Sequence, residues 1–364
     1  MFYKIFGWYI ILINVLGFFL MGRDKHLAKA HAWRIPERVL LSVAAAGGAF
    51  GSLLGMQIFR HKTKHRKFKV GVPLLLVLWI VLIMAGDHFL ITTSRYKVTS
   101  EKLPEDFDGF TVVQLSDIHI VRSQFQYDEI LRKVKKEKPD LIALTGDLVD
   151  APGYSKSNGT NTELTVKLCG ELAGIAPAYY IYGNHEMILL DDPEKNPFKV
   201  AVEEAGVKLL NVKAETIEKD GVTLNVCGLQ DPSILYKDPV LSQYNDNKSR
   251  IEAELDIALA GLDTDNFTLV LSHRPELLDV YAEYPVDLVL SGHAHGGQFR
   301  LPVGRCGLIA PNQGWLPKYT SGTYRSSNGG TEMIVSRGLG DSEIPVRFFN
   351  MPEIVSITIK NGKP

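Results

Sequence analysis

The rhythm of apolar and polar positions changes near residue 98. Before it stand three apolar stretches nearly free of charge, about Phe2–Met21, Val39–Phe59 and Val70–Ile91. Each is roughly 20 residues long, enough to cross a hydrocarbon core of about 30 Å, so the pattern predicts three transmembrane helices. A cleaved signal peptide fits poorly, because the first stretch lacks a small-residue cleavage site and two more stretches follow it. The middle stretch contains AAAGGAFGSLLG, whose small residues let a neighbouring helix approach closely. Three crossings would put the amino-terminal end and the rest of the chain on opposite sides of a membrane.

Beyond residue 98 the apolar runs become short. TVVQLS, DLIALT, AYYIY, TLVLS, DLVLS, TEMIVS and IVSITIK each read as a strand. Helical patterns lie between them. In Phe125–Lys138, Tyr127, Ile130, Leu131 and Val134 fall on one face, and Pro139 ends the run. Around Val207–Gly228 the period becomes strand-like, with Asp220-Gly221 as a hairpin turn. Strands and helices alternate in the first half and hairpins mark the second. This predicts an α/β domain of two packed sheets with helices outside. Residues 99–364, about 266 positions, suffice for one such domain with a full core. The expected domains are therefore 1–98, a membrane module, and 99–364. The polar run Ser155–Thr162 is a candidate lid.

Charge follows the same division. Residues 1–98 hold 14 Lys/Arg and 3 Asp/Glu, a formal +11, and the remainder holds 26 against 38, a formal −12. Basic loops beside spans suit anionic headgroups, whereas an acidic domain argues against nucleic acid as a partner. The loop Arg60–Lys69 carries six Lys/Arg and is expected to be cytoplasmic, while Gly22–Arg38 carries five and pulls the opposite way across three spans. The denser loop favours an extracytoplasmic position for residues 99–364. Cys169, Cys227 and Cys306 are odd in number, unpaired by spacing, and read as buried structural thiols.

Residues suited to metal ligation stand where the strand runs end. Asp117 and His119 follow TVVQLS, Asp147 and Asp150 follow DLIALT, and Asn184 and His185 follow AYYIY. His273 follows TLVLS, and His293 and His295 follow DLVLS. Neighbouring strands lie about 5 Å apart, so ligands distant in sequence can converge there. Asp117 and His119, at i and i+2, share a face in extended chain. Asp147 has a second carboxylate oxygen with which to bridge two ions. Asn184 offers an amide oxygen, and His273, His293 and His295 offer imidazole nitrogens. Taken singly, each motif also reads as a turn or a helix cap. Together, in this order, they point to a two-metal site.

Nitrogen and oxygen ligation without thiolate suits two divalent ions of Mn, Fe or Zn, with Mn favoured. Ions about 3.5–4 Å apart would clamp a water between them, lower its pKa and let the bridging hydroxide attack phosphorus in line. Both would absorb charge developing on the phosphoryl oxygens. The expelled alkoxide needs a proton, and His185, beside Asn184 without being tied to metal, is the candidate general acid. Asp150 is the candidate acceptor behind the ligands, orienting one of them.

These residues also carry a resemblance. Residues 105–364 resemble the calcineurin-like metallophosphoesterases, in particular the membrane-associated bacterial YkuE-like phosphodiesterase subgroup. The pattern D-x-H, GD-x-x-D, GNH-E/D, H, GH-x-H is met without a gap. Longer marks match as well: GHAHGGQFRLP (Gly292–Pro302), APNQGWLPKY (Ala310–Tyr319) and SRGLGDSEIPVRFFNMPEI (Ser336–Ile354). The resemblance implies a four-layer αββα sandwich. It implies one metal on Asp117, His119, Asp147 and His295, a second on Asp147, Asn184, His273 and His293, and His185 as the catalytic acid. Met21–Glu37, Gly47-Gly48 and Arg60–Phe68 resemble a small bacterial membrane family of unknown function, which implies no chemistry.

The expected function is hydrolysis of a phosphodiester or pyrophosphate bond by a membrane-anchored enzyme. Anchoring raises the effective concentration of a lipid-linked or envelope substrate. The alternatives are a tethered phosphomonoesterase or nucleotide phosphodiesterase, and a membrane sensor that binds without turnover. An intact His185 speaks against the sensor. Specificity is expected in Ser155–Thr162, Asp231–Asn247 and Gly304–Tyr324, where Trp315, Tyr319 and Tyr324 either meet a sugar or acyl chain or anchor the loop.

Overall fold

In the computed structural model the described residues are 2–119, 123–150, 162–188, 197–232, 246–304, 306–341 and 346–363. The chain forms two compact units: Met1–Asp87 with Arg300–Gly304, and His88–Phe299 with Arg305–Pro364. The first is helical, and three of its stretches are long and apolar enough to cross a membrane: Ile5–Lys29, Glu37–Ile58 and Arg66–Phe89. They contain α1 (Phe2–Lys29), α2 (Glu37–Val43), α3 (Ala49–Ile58) and α4 (Arg66–Phe89). Between α2 and α3 the helix breaks at Gly47, whose φ of 114° is open to glycine and strained for other residues. Trp8, Leu12, Phe19, Leu74, Val77 and Val81 are all exposed, a surface suited to hydrocarbon rather than water.

The second unit is built on two six-stranded sheets. The first sheet takes β1 (Thr92–Ser100), β2 (Thr111–Leu115), β3 (Leu141–Thr145), β4 (Ala178–Ile181) and β5 (Lys208–Leu209). The second begins with β6 (Lys213–Lys219), β7 (Val222–Gly228), β8 (Thr268–Leu271) and β9 (Leu288–Ser291). A small hairpin, β10 (Ile309–Ala310) and β11 (Gly314–Trp315), precedes β12 (Gly322–Arg325) and β13 (Glu332–Val335) of the second sheet. β14 (Glu353–Asn361) returns to the first. The orders are β1-β14-β2-β3-β4-β5 and β12-β13-β9-β8-β7-β6. β2, β3 and β4 run parallel, as do β7, β8 and β9, so each sheet gathers several carboxyl ends at one edge.

Alternation along the strands builds the layers. Val112, Leu141, Ile181, Leu269 and Leu290 meet between the sheets, while Val113, Ile142 and Tyr180 turn outward. That outer face is covered by Tyr127, Ile130 and Val134 of α5 (Gln124–Glu137) and Leu168 and Leu172 of α6 (Glu163–Ala173). α7 (Asn184–Ile188) and α8 (Pro197–Glu204) follow β4. On the far side, α9 (Asn247–Ala258) and α10 (Leu278–Tyr281) pack on Cys227, Val270 and Val289. The result is the expected four-layer αββα sandwich. α5 starts where Ser123 Oγ accepts the Gln126 amide at 3.2 Å and stops at left-handed Lys138, just before Pro139. Asp220 and Gly221, with φ of 50° and 83°, make the expected hairpin turn between β6 and β7.

Some expectations shift. β1 lies across the expected boundary at 98 and pairs with β14 along its whole length, so the second unit begins at His88. The expected loop Gly304–Tyr324 contains β10, β11 and part of β12. Cys169 and Cys227 are buried, but Cys306 is exposed. Of the loop Ser155–Thr162 only Thr162, and of Asp231–Asn247 only residues 231–232 and 246–247, are among the described residues.

Candidate metal centre

The expected site residues stand at the carboxyl ends of five strands. Asp117 and His119 follow β2, Asp147 and Asp150 follow β3, and Asn184 opens α7 just after β4. His273 follows β8, and His293 and His295 follow β9. The backbone bends sharply there: Asp117, His119, Asp147, His293 and His295 have φ of 49°, 46°, 53°, 64° and 44°. This left-handed region costs a non-glycine residue about 1–3 kcal/mol, and such strain gathers at functional sites. Two glycines let the loops close in. A Cβ on Gly183 would lie 2.2 Å from Asp147 Oδ1, and one on Gly292 1.9 Å from Ser116 Oγ.

Besides a group of His119, Asp150 and His185, the side chains of the described residues converge into two groups that share one carboxylate. Asp117, His119, Asp147 and His295 form one, and Asp147, His273 and His293 the other, with the ligand atoms of each group within 4.8 Å of one another. His119 Nε2 lies 3.2 Å from His295 Nε2 and 3.8 Å from Asp147 Oδ2. His295 Nε2 is 3.4 Å from Asp117 Oδ1, and His273 Nε2 is 3.2 Å from Asp147 Oδ2. Among the described residues, buried Asn184 Oδ1 has no hydrogen-bond partner. Such an orphan costs about 1–3 kcal/mol, which a cation would relieve. Oxygen and imidazole donors around it fit a divalent transition metal.

Outer contacts turn the rings. Asp150 Oδ1 accepts from His119 Nδ1 at 2.9 Å, and His273 Nδ1 donates to the Thr145 carbonyl at 2.8 Å. Each contact fixes Nδ1 as the donor and aims Nε2 at the cluster. His293 Nε2 lies 2.9 Å from Asn312 Oδ1 and 3.0 Å from Arg274 Nη1. His185 is half-buried, edge-on to His119 with ring centroids 4.6 Å apart. Its backbone N–H donates to Asp147 Oδ1 at 2.9 Å.

Burial governs most of the titration here. It raises Asp117 above the usual carboxylate range and lowers His185. It pulls His293 down to about 3, with the positive charges of Arg274 and His273 adding to it. His295 falls well below its usual value by burial and the neighbouring His119. Asp147 goes the other way: burial acts against its charge, yet His273, His185 and His119 hold it well below its usual range. His273 rises to about 10 despite burial, because Asp147 and Asp117 face it. The shared position therefore carries an ionised carboxylate.

Three further features lay outside the sequence reading. Glu186, 2% exposed, accepts the backbone amides of Asp147, Leu148 and Gly183 and so ties the loop after β3 to the loop after β4. Its signal was a carboxylate directly after His185. Asn312 reaches His293 from the β10–β11 hairpin. Arg274, buried in an ion pair with Asp231, borders the same ring.

The family described as calcineurin-like phosphoesterase matches residues 110–297, and a family of unknown function, DUF1294, matches residues 14–68. The chain is 30% identical over 279 residues to the metallophosphoesterase YkuE of Bacillus subtilis (strain 168), spanning 76% of this chain and 87% of that protein. It is 57% identical over 75 residues to YsdA of the same organism, 21% of this chain and 84% of that protein. It is 24% identical over 338 residues to the UDP-2,3-diacylglucosamine pyrophosphatase LpxG of Chlamydia muridarum (strain MoPn / Nigg), 82% and 97% respectively. With two sheets whose strand ends gather a dinuclear set of Asp and His side chains, the chain belongs to the calcineurin-like metallophosphoesterases and is a metal-dependent phosphoester hydrolase.

Proposed function

We propose that this hydrolase is anchored in a membrane and cleaves a phosphodiester or pyrophosphate bond of a lipid-linked substrate. The observation that carries the reading is the β10–β11 hairpin. Asn312, at its turn, sits against His293. On the same hairpin Leu308 is 41%, Trp315 72% and Leu316 74% exposed. One short element thus links the metal cluster to an apolar surface, and such a surface suits a lipid chain. Tyr319 and Tyr324 take no part in it. Their rings pack edge to face at 5.0 Å, and Tyr324 Oη accepts the Thr320 amide at 2.9 Å, so they anchor the loop. The apolar stretches of the first unit supply the anchor, and tethering concentrates a lipid-linked substrate. The name of LpxG, a diacylglucosamine pyrophosphatase, supports the same class.

Asp117, His119, Asp147 and His295 would hold one divalent ion, and Asp147, Asn184, His273 and His293 the second, with Mn favoured over Fe or Zn. When bound, such a pair acidifies a water and takes up charge on the phosphoryl oxygens. His185, once protonated, would supply the proton that the leaving alkoxide or phosphate oxygen takes up. Asp150 keeps the His119 ring turned towards Asp147, and Glu186 holds the Asp147 and Asn184 loops together.

The test is an assay of the full chain, loaded with Mn²⁺ and reconstituted in vesicles, on lipid-linked pyrophosphates and diesters and on water-soluble mono- and diesters. Preference for the lipid-linked substrates is expected. Trp315→Ser with Leu316→Ser should lower that rate and leave the rate on a soluble ester unchanged. Preference for a soluble monoester or nucleotide would indicate a tethered enzyme of the other kind, and no turnover at full metal content would leave a ligand binder.

A further inference from the structure

We propose that residues 37–58 form a re-entrant hairpin, so that the chain crosses the membrane only twice and both basic loops lie on one cytoplasmic face against anionic headgroups. This goes beyond the substrate reading and rests only on the membrane placement of the apolar helices.

Both ends of the middle stretch are held at one level. Asp24, buried near the end of α1, accepts Arg34 Nη2 at 2.7 Å and the Ile35 amide at 3.0 Å, and lies 2.6 Å from His61 Nε2. A single carboxylate therefore grips the loop before α2 and the loop after α3. Lys62 Nζ lies 2.6 Å from Glu37 Oε1, joining the first residue of α2 to the chain beyond α3. A straight span could not bring those two residues together.

The centre of the stretch lies at another depth. The carbonyls of Ala45, Ala46 and Gly47 accept from Trp79 Nε1 at 2.9 Å, Tyr9 Oη at 2.5 Å and Asn14 Nδ2 at 2.9 Å. Tyr9 and Asp24 are about 22 Å apart along α1, at 1.5 Å per residue. α2 thus runs away from the Asp24 level, and α3 returns to it parallel with α1. Gly48 meets Ile13, Gly51 meets Asn14 and Gly55 meets Met21, the numbers rising together. A Cβ on Gly51 would lie 1.9 Å from the Asn14 carbonyl oxygen, so these small residues permit the close packing.

Length and hydrogen bonding agree. The ten residues of α3 rise about 15 Å, half of a hydrocarbon core of about 30 Å. Broken backbone persists at membrane depth only where protein groups satisfy it. Here the break at Gly47 is met by Trp79, Tyr9 and Asn14, and Asn14 Oδ1 also accepts the Gly51 amide at 2.8 Å.

The consequence is for charge. The eleven Lys/Arg from Arg23 to Lys69 belong to the two loops and the helix ends that meet at Asp24 and Glu37. Clusters that opposed each other across three spans now act together. Short basic loops resist translocation, and the anionic inner leaflet attracts them. The chain leaves α4 at the opposite face, which makes the hydrolase extracytoplasmic.

The test uses right-side-out spheroplasts carrying the full chain and a membrane-impermeant maleimide. Trp33 is 92% exposed and Lys64 is exposed, so Trp33→Cys and Lys64→Cys, each combined with Cys306→Ser, leave the packing alone. Both should label only after lysis, whereas Cys306 of the unaltered chain should label in intact spheroplasts. Labelling of the two from opposite sides, or of both without lysis, would overturn the proposal. Recovery of the chain in the soluble fraction would overturn the membrane reading with it. A second measurement is independent of labelling: Glu37→Lys and Lys62→Glu should each lower the melting temperature in detergent, and the double reversal should restore it. Additive losses would count against a shared face.

Discussion

Glu186 Oε2 accepts the backbone amide of Asp147 at 2.9 Å. The same oxygen takes the Gly183 amide at 2.9 Å, and Oε1 takes that of Leu148 at 2.6 Å. A buried carboxylate thus braces the shared carboxylate from behind without competing for its side chain. Glu186→Gln would turn one of these acceptors into a donor facing an amide, a cost of about 1–3 kcal/mol for the group left unmatched. The expected outcome is weaker retention of both ions, read by competition with a chelator. An unchanged titration would reduce Glu186 to a structural brace with no bearing on metal.

Asp147→Asn tests the bridge. The carboxylate belongs to both candidate ligand groups and is held ionised by His273, His185 and His119 against its burial. A neutral amide in its place removes the negative charge that two ions would share there. Elemental analysis of the purified variant should show both sites depleted, with activity lost. Retention of one full equivalent would assign Asp147 to a single ion.

His185→Ala should keep the metal content and lose rate, by about 10²–10⁴-fold for a poor leaving group. His185 stands beside His119 and Asp147, within reach of the site yet outside the two groups that share Asp147, and groups instead with His119 and Asp150. The loss should shrink for nitrophenyl esters, whose leaving group is stable as an anion. An equal loss on alkyl and nitrophenyl esters would assign His185 to substrate positioning.

The site was legible because its residues follow strands of nearly unbroken apolar character. TVVQL, LIALT and AYYI are buried on both faces, so the polar residues after them stand out. β1 was hidden for the opposite reason: TTSRYKVTS is half-exposed and polar, and only its partner β14 makes it a strand. Glu186 was hidden because accepting backbone amides imposes no pattern on sequence. The break at Gly47 escaped as well. Hydropathy counts apolar residues and carries no record of the direction in which the chain runs, so Val39–Phe59 reads as one stretch whether or not Gly47 turns it.

Glu353 connects stability to pH. It is 1% exposed, and burial alone would raise its carboxyl, but Arg337 Nη2 at 2.8 Å, the Arg337 amide at 2.8 Å and the Ser94 hydroxyl hold it below its usual range. These contacts tie β1 to β14 and to the loop at Gly338, which packs on Asp117. With the folded value below the unfolded one, the contribution is fully present above the unfolded value of about 4.3. It is lost as pH falls through the folded value. Glu353→Gln leaves the Arg337 guanidinium facing a neutral amide, and breaking a buried pair in this way costs about 3–5 kcal/mol near neutrality. Thermal unfolding of the full chain in detergent, with chelator present throughout so that metal release does not enter, should show a lower melting temperature for the variant at pH 7. The gap should begin to narrow once pH falls below the unfolded value of about 4.3 and close as pH passes the lower folded value. A gap that stays constant down to pH 3 would show that the substitution removes packing, not an ion pair.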